Sequence, residues 1–353
     1  MSGQAANKTA PWRQACRAVG WALWRARRGE NPAILIGAMI AIVAFFSVLL
    51  RDTGFLTVVN LLAIVRLSTT TTVMAVATVY VLCAAEIDLS FASVVPVSAL
   101  IAAVLLSWHC HFLVAAGTAV AFGALVGLVN GLATVFFGIS SFVVTLGTMG
   151  VMQGLAQIVT HTNTISISDD RFLFWFGSGS VGPVPVLAFW SLGALVIGAV
   201  ILSSTAVGRR VLATGANANA ARFSGIRTER VKVGVMIASG AAGALAGVLY
   251  DGQYAAGDFT LGSGDLLPVI AAAVIGGCSL SGGKGSVVGA VVASLLIGTL
   301  NNVLFLAGFG APDQLMVQGV IIVAAVIVGS RNGRGTAWRW LAALDGTRRR
   351  DRD

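Results

Sequence analysis

The sequence predicts an all-α polytopic membrane protein of about ten spanning helices, and three observations carry that prediction. Hydrophobic residues make up 57% of the 353 and charged residues only 10%, against roughly 25% charged residues in a soluble globular chain. Apolar runs near the ~20 residues that a spanning helix needs recur along the whole chain. The 23 basic residues gather in clusters between those runs instead of spreading over a surface. A soluble enzyme is excluded on the first count, because a single soluble core stops growing at roughly 250 to 300 residues and its surface needs far more charge to stay in solution. The net charge of +9 would point to nucleic acid in a soluble protein, but the placement of the charges argues otherwise.

Residues 1–32 form a basic segment holding Lys8, Arg13, Arg17, Arg25, Arg27 and Arg28. No apolar stretch precedes Asn31, so the segment is not read as a cleavable signal, and Gly29, Glu30 and Asn31 after the two arginines do not resemble a twin-arginine export signal. On a helix Trp12, Cys16, Val19 and Leu23 share a face with Arg13 and Arg17 beside it. Such a pattern suits a short interfacial helix, and a solvated basic tail accounts for it equally well.

Ten apolar runs follow, at roughly 33–50, 67–85, 93–108, 112–135, 142–160, 185–204, 232–250, 266–280, 286–306 and 314–330. Across residues 55–85, which include the second run, Asn60, Arg66 and the run Ser68 to Thr72 interrupt the apolar pattern, so a broken helix competes with one straight span. Six runs precede the basic loop 205–231, which carries Arg209, Arg210, Arg222, Arg227 and Arg230, with Lys232 just beyond it. Four more separate it from the basic tail 331–353, with its seven arginines. Even numbers on both sides place both termini and the loop on the cytoplasmic face, with the acidic segment Asp251 to Asp265 outside. The chain therefore divides into a cytoplasmic basic segment, 1–32, a membrane domain, 33–330, and a cytoplasmic tail, 331–353.

Glycines at helical spacing (Gly123, Gly127, Gly131; Gly147, Gly150, Gly154; Gly240, Gly243, Gly247) suit close helix packing in a bundle. The four cysteines, Cys16, Cys83, Cys110 and Cys278, give no disulfide framework and no zinc spacing. His109 and His111 flank Cys110 in a tight turn that reads as a polar interfacial loop rather than a metal site, and His161 stands alone. The stretch Ser281-Gly282-Gly283-Lys284-Gly285-Ser286 lacks the spacing of a phosphate loop, because Cys278 stands where a glycine is required and Gly285 follows the lysine. No catalytic constellation is present, no cofactor is assigned to this chain, and no metal is expected.

Glu86 and Asp88 sit at the inner junction of the second and third spans. Asp88 or Ser90 there reads as a cap on the next helix, with an ion-coupled carrier using Glu86 or Asp88 as the alternative. Neutral polar groups inside the apolar runs are candidates for a solute path: Thr69, Thr72, Asn130, Thr145, Thr148, Gln153, Asn301 and Asn302. A path of amides and hydroxyls suits a neutral polyhydroxy solute, and helix-to-helix hydrogen bonding explains any one of them as well. In the loop 205–231, Asn217 or Asn219 is placed to cap a short helix through Arg222 or Phe223, closed by Gly225.

That loop resembles the coupling segment of bacterial ABC import permeases of the ribose, xylose and arabinose type, with the pattern matched at Gly215, Asn217, Ala220, Ala221, Ser224, Gly225 and Ile226. Ile87-Asp88-Leu89-Ser90, the stretch from Gly138 to Met149 and the stretch from Gly276 to Ser286 resemble the same family, in the same order. Ala85-Glu86 stands where the family usually has Gly-Gly, and Ser140-Ser141 replaces a common Pro-Pro. The resemblance implies a type II ABC importer bundle in the bacterial inner membrane, present as a homodimer. It implies as partners a cytoplasmic ATPase that binds ATP and Mg, and a periplasmic sugar-binding protein. By the same resemblance Arg222 joins the seven matched residues at the ATPase contact, and Asp88, Ser90, Ser281 and Gly283 are structural junctions. The motifs do not select among pentose, hexose, deoxysugar and polyol.

Overall fold

A computed structural model describes residues 32–160, 162–310, 312–317 and 319–320. The basic N-terminal segment, His161, Gln318, most of the run 314–330 and the tail lie outside the described residues.

The chain forms helices α1 (Pro32–Leu49), α2 (Val58–Cys83), α3 (Phe91–Ser107), α4 (Phe112–Phe137) and α5 (Ser141–Thr160). The short α6 (Asp170–Leu173), continued by a wider turn at Phe174–Ser178, leads to α7 (Val186–Ser204). Then come α8 (Ala206–Ala216), α9 (Ala218–Phe223), α10 (Thr228–Tyr254), α11 (Leu266–Ile275) and α12 (Val287–Leu306). Two antiparallel pairs of two-residue strands are present, β1 (Ile165–Ser166) with β4 (Ala256–Gly257), and β2 (Ser180–Val181) with β3 (Val184–Pro185). Among the described residues six helices, α2, α4, α5, α7, α10 and α12, are long and apolar enough to cross a membrane, with α3 and α11 as shorter apolar helices.

The polar run in α2 does not break it. Ser68 Oγ donates to the Ile64 carbonyl at 2.7 Å and Thr69 Oγ1 to the Val65 carbonyl at 3.0 Å, so these hydroxyls are satisfied on their own helix. Thr57 caps it, its hydroxyl accepting from the Asn60 amide. The break falls later, where the non-helical stretch 84–90, opening with a turn at Ala84 and Ala85, joins α2 to α3. Glu86 pairs with Lys232 near the start of α10, while Phe91 packs against Gly243 of the same helix. Five residue steps reach at most about 16 Å, and the eleven helical residues between those two levels rise about as far at ~1.5 Å each. Non-helical backbone therefore runs inside the bundle, covered by protein as the membrane interior requires.

The expected span at 266–280 is corrected. Its helix, α11, ends at Ile275, and ten residues rise only ~15 Å, about half of the ~30 Å hydrocarbon layer. Gly276 and Gly277 stop it, Gly277 with φ +101°, and a glycine-rich loop continues to Ser286.

The long helix α10 is the core of the bundle, packed on α4, α3 and α2. It meets α4 backbone to backbone: a Cβ on Gly123 would lie 2.3 Å from the Gly240 carbonyl oxygen, and one on Gly127 2.2 Å from that of Met236. Gly243 and Gly247 make the same approach to α3 at Phe91 and Val95. Gly147, Gly150 and Gly154 do not, because nothing lies within 4 Å of a Cβ on any of them. That glycine row of α5 meets no other helix among the described residues, since spacing shows a smooth face and not whether a neighbour covers it.

Candidate functional site

The four motif stretches form one continuous assembly at the end of the bundle that carries the basic loop. Its centre is the helix pair α8 and α9. Asn217 has extended backbone, φ −162° and ψ 104°, which separates the two helices, and its Oδ1 accepts from the Ala220 amide at 3.0 Å. Gly225 closes α9 with φ +81°, its amide donating to the Arg222 carbonyl, while the Ile226 amide donates to that of Ala221. Ser224 Oγ donates to the Ala220 carbonyl at 3.0 Å. Ala221 is buried, whereas Ala220, Arg222, Ser224 and Gly225 are exposed and Phe223 is 94% exposed. Arg222 donates to Thr228 Oγ1 and pairs with Glu229, which ties the exposed helix to the first turn of α10.

Gly215 joins this pair to the bundle. A Cβ there would stand 1.8 Å from the Cys83 carbonyl oxygen and 2.8 Å from the Gly283 amide nitrogen. Gly283, at φ +75°, donates its amide to that same Cys83 carbonyl at 3.0 Å, and Gly282 and Gly283 pack on Ala85 and Ala216. The end of α2, the end of α8 and the loop after α11 thus share one backbone junction. Ser281 is exposed beside it, its amide donating to Ser279 Oγ.

The stretch 84–90 continues from this junction along α5. Ser141 Oγ accepts from the Ile87 amide at 3.0 Å and Thr145 Oγ1 from the Leu89 amide at 3.2 Å. Asn130 Nδ2 donates to Ser90 Oγ at 2.9 Å, and Thr148 Oγ1 donates to Asn130 Oδ1 at 2.6 Å. Asp88 Oδ1 accepts from both the amide and the hydroxyl of Ser90. Ser90 stands at the N-cap of α3 with its hydroxyl turned back to Asp88 instead of to the helix amides. Residues three and four apart on α5 and α4 form a ladder for the extended backbone, which otherwise leaves its amides unmet inside the membrane.

Other candidate path residues are also held within the chain. Thr69 Oγ1 donates to the Leu187 carbonyl and accepts from Ser191 Oγ, Thr72 and Ser294 share a 2.7 Å hydrogen bond, and Asn302 exchanges two amide hydrogen bonds with Asn60. Asn301 is half-buried, while Gln153 and Gln157 are exposed on α5.

At the opposite end lies a pocket of about 420 Å³ whose lining includes Tyr250, Tyr254, Asp258, Thr260 and Asp265. The two tyrosine rings stack at 5.9 Å, and the Tyr250 hydroxyl donates to Asp265 Oδ2 at 2.6 Å. Burial pushes the Asp265 carboxyl above its ordinary value, opposed by the Tyr250 hydrogen bond. At Asp258 burial pushes the same way, but hydrogen bonds from Thr164 and Thr260 win and hold it below the usual range. Arg66, whose Nε has no hydrogen-bond partner, lies in the field of Tyr254. Sequence reasoning missed this pocket; the available signal was a tyrosine pair four residues apart, followed by two acidic residues, Asp258 and Asp265, within eleven residues.

Residues 60–326 match the family model described as the permease component of the branched-chain amino acid transport system. The chain belongs to this permease family. It is 33% identical over 298 residues to the ribose import permease protein of Escherichia coli, covering 83% of this chain and 92% of the relative. It is 34% identical over 290 residues to the L-arabinose ABC transporter permease of Azospirillum brasilense, covering 82% and 85%. It is also 33% identical over 287 residues to the D-allose transport system permease of Escherichia coli, covering 81% and 87%. No solved structure matches the chain.

The permease is a multi-pass membrane protein and a transport subunit. The ion-coupled alternative is withdrawn: the relatives are import permeases of ABC systems, and the Glu86 carboxylate is held by the Lys232 ammonium, where no coupling ion is needed to balance it.

Proposed function

We propose that this chain is the permease subunit of an ABC importer for a monosaccharide or related polyol in the bacterial inner membrane. The reading rests on one observation: α9 is an exposed helix, capped at its two ends by Asn217 and Gly225, that follows directly on the backbone junction of Gly215, Cys83 and Gly283. The names of the relatives, which import ribose, arabinose and allose, give the solute class.

In this reading the basic end and both termini face the cytoplasm, where a separate ATPase binds ATP and Mg and receives α9 through Asn217, Ala220, Ala221, Arg222, Ser224, Gly225 and Ile226. Closure of the ATPase pair pushes α9, and Gly215 passes the displacement to the end of α2 and the loop after α11. The non-helical stretch from Ala85 to Ser90 is the element that yields, because its hydrogen bonds to Ser141, Thr145 and Asn130 exchange more readily than those of a helix.

A periplasmic binding protein delivers the solute to the opposite end. There the stacked tyrosines supply a flat apolar face, and Asp258, Thr260 and Asp265 accept from hydroxyls, which is the pairing a sugar ring requires. Two copies of the chain enclose the path. Exposed Gln153 and Gln157 on a spanning helix support this, since amides facing lipid are costly.

Uptake into right-side-out vesicles containing the chain and its ATPase, with its binding protein outside, tests the proposal. Monosaccharide accumulation should follow internal ATP and survive an uncoupler; accumulation that collapses with the proton gradient at constant ATP refutes it.

A further inference from the structure

A cleft of about 1010 Å³ opens between α7 and α10, with α2 at its back. The helix α10 faces it with Gly234, Ala238 and Ala242, four residues apart and so on one face, flanked by Val231, Val235 and Leu245. These small residues leave a groove instead of a helix contact. The wall opposite is Ile197 and Ile201 of α7. The Tyr80 hydroxyl in the back wall donates to the Gly198 carbonyl, and no acidic side chain lines the space. From Arg230 to Leu245 the groove follows fifteen helical residues, about 22 Å. That exceeds the ~15 Å hydrocarbon depth of one leaflet, half the ~30 Å layer.

Its mouth is charged. Arg210, Arg227 and Arg230 rim it, all exposed, and the ion pairs at this end, Arg222–Glu229 and Lys232–Glu86, use none of the three. A largely apolar groove long enough to span one leaflet, with three guanidinium groups at its open end, is complementary to one class of molecule. We infer that the cleft binds an anionic phospholipid of the leaflet on the basic side, an acyl chain along Gly234, Ala238 and Ala242 and the headgroup phosphate against Arg210, Arg227 and Arg230.

Charge decides against the other occupants. The N-terminal segment carries six basic residues within 1–31 and would bring like charge to the rim. A second copy would do the same with its own 205–231 cluster. A zwitterionic lipid fills the groove but gives the arginines no net charge to meet. Gly225 and Ile226 also line the mouth, so the lipid touches the segment that receives the ATPase in the proposed function. Binding itself stands whether or not that function holds.

The test uses the full chain purified in mild detergent and exposed to equal amounts of phosphatidylglycerol and phosphatidylethanolamine with the same acyl chains, with retained lipid counted by native mass spectrometry. The native chain should retain phosphatidylglycerol in excess. Replacing the rim with R210Q/R227Q/R230Q should lower that retention by about a hundredfold. Ala238→Trp, which fills the groove and leaves the arginines in place, should abolish retention of both lipids. Equal retention of the two headgroups by the native chain overturns the inference, and so does unchanged retention in either variant. Lipid retained only after deletion of residues 1–31 assigns the groove to that segment and overturns it too. If the triple variant does not fold, the headgroup ratio of the native chain and the Ala238→Trp result decide the matter.

Discussion

Gly215→Ala is the sharpest perturbation of the junction that the coupling mechanism requires. The added methyl carbon would lie 1.8 Å from the Cys83 carbonyl oxygen and 2.8 Å from the Gly283 nitrogen. Regaining ordinary contact takes a displacement of roughly 1.5 Å or more. Neither obstructing group is a flexible side chain, so the cost belongs at the upper end of the overpacking range, about 3 kcal/mol. Helix propensity returns at most about 1 kcal/mol, which leaves about 2 kcal/mol net, or roughly a 30-fold shift in the folded population. Gly154→Ala is the matched control, because nothing lies within 4 Å of its Cβ and only the gain of up to about 1 kcal/mol applies. Thermal unfolding of the two purified variants in one detergent should move in opposite directions, and only Gly215→Ala should slow ATP-driven uptake. A native melting temperature for Gly215→Ala would refute the packed junction, and with it the route from α9 to α2.

Three further outcomes follow from the same geometry. Ala85 holds a left-handed backbone at φ 61°, so Ala85→Gly should raise stability by about 1 kcal/mol, read as a higher melting temperature. Ser141→Ala strands the Ile87 amide inside the bundle and should lower stability by about 1–3 kcal/mol, with faster hydrogen exchange at residues 86–90 as the local readout. Burial raises the Asp265 carboxyl against the opposing Tyr250 hydrogen bond, so folding favours its protonated form. Its contribution is present near pH 4, around the ordinary value of about 3.9, and is lost as pH rises through the raised folded value; Asp265→Asn should flatten stability against pH over that interval.

The spans were legible in the sequence because an apolar run of about twenty residues admits few readings. The breaks were not, and particular residues show why. Ser68 and the threonines after it look like an interruption, yet Ser68 and Thr69 bond back to carbonyls four residues earlier and α2 continues. Ala85 to Ser90 contains no proline or glycine, and it is held open by Ser141, Thr145 and Lys232, none of them near it in sequence. The end of α11 was visible in Gly276-Gly277 and was overrun by a length expectation. Local signals were the dependable ones: Asn217 and Gly225 bound α9 by rules that need only four or five residues. The departure of Ser140-Ser141 from Pro-Pro has a physical use, since the Ser141 hydroxyl supplies an acceptor that proline lacks. Tyr250, Tyr254 and Asp265 escaped notice because ring stacking and a carboxylate contact across the loop are tertiary facts.

The central claim is that α9 is the surface on which an ATPase acts, and Phe223, 94% exposed on that helix, is the place to test it. A photoreactive amino acid at position 223, with the same group at Val59 at the far end of α2 as control, should be irradiated in membranes containing the chain and its cognate ATPase. The account expects an ATPase adduct from position 223 that changes in yield with ATP, and none from position 59. No adduct at 223, or one formed equally at 59, would contradict it.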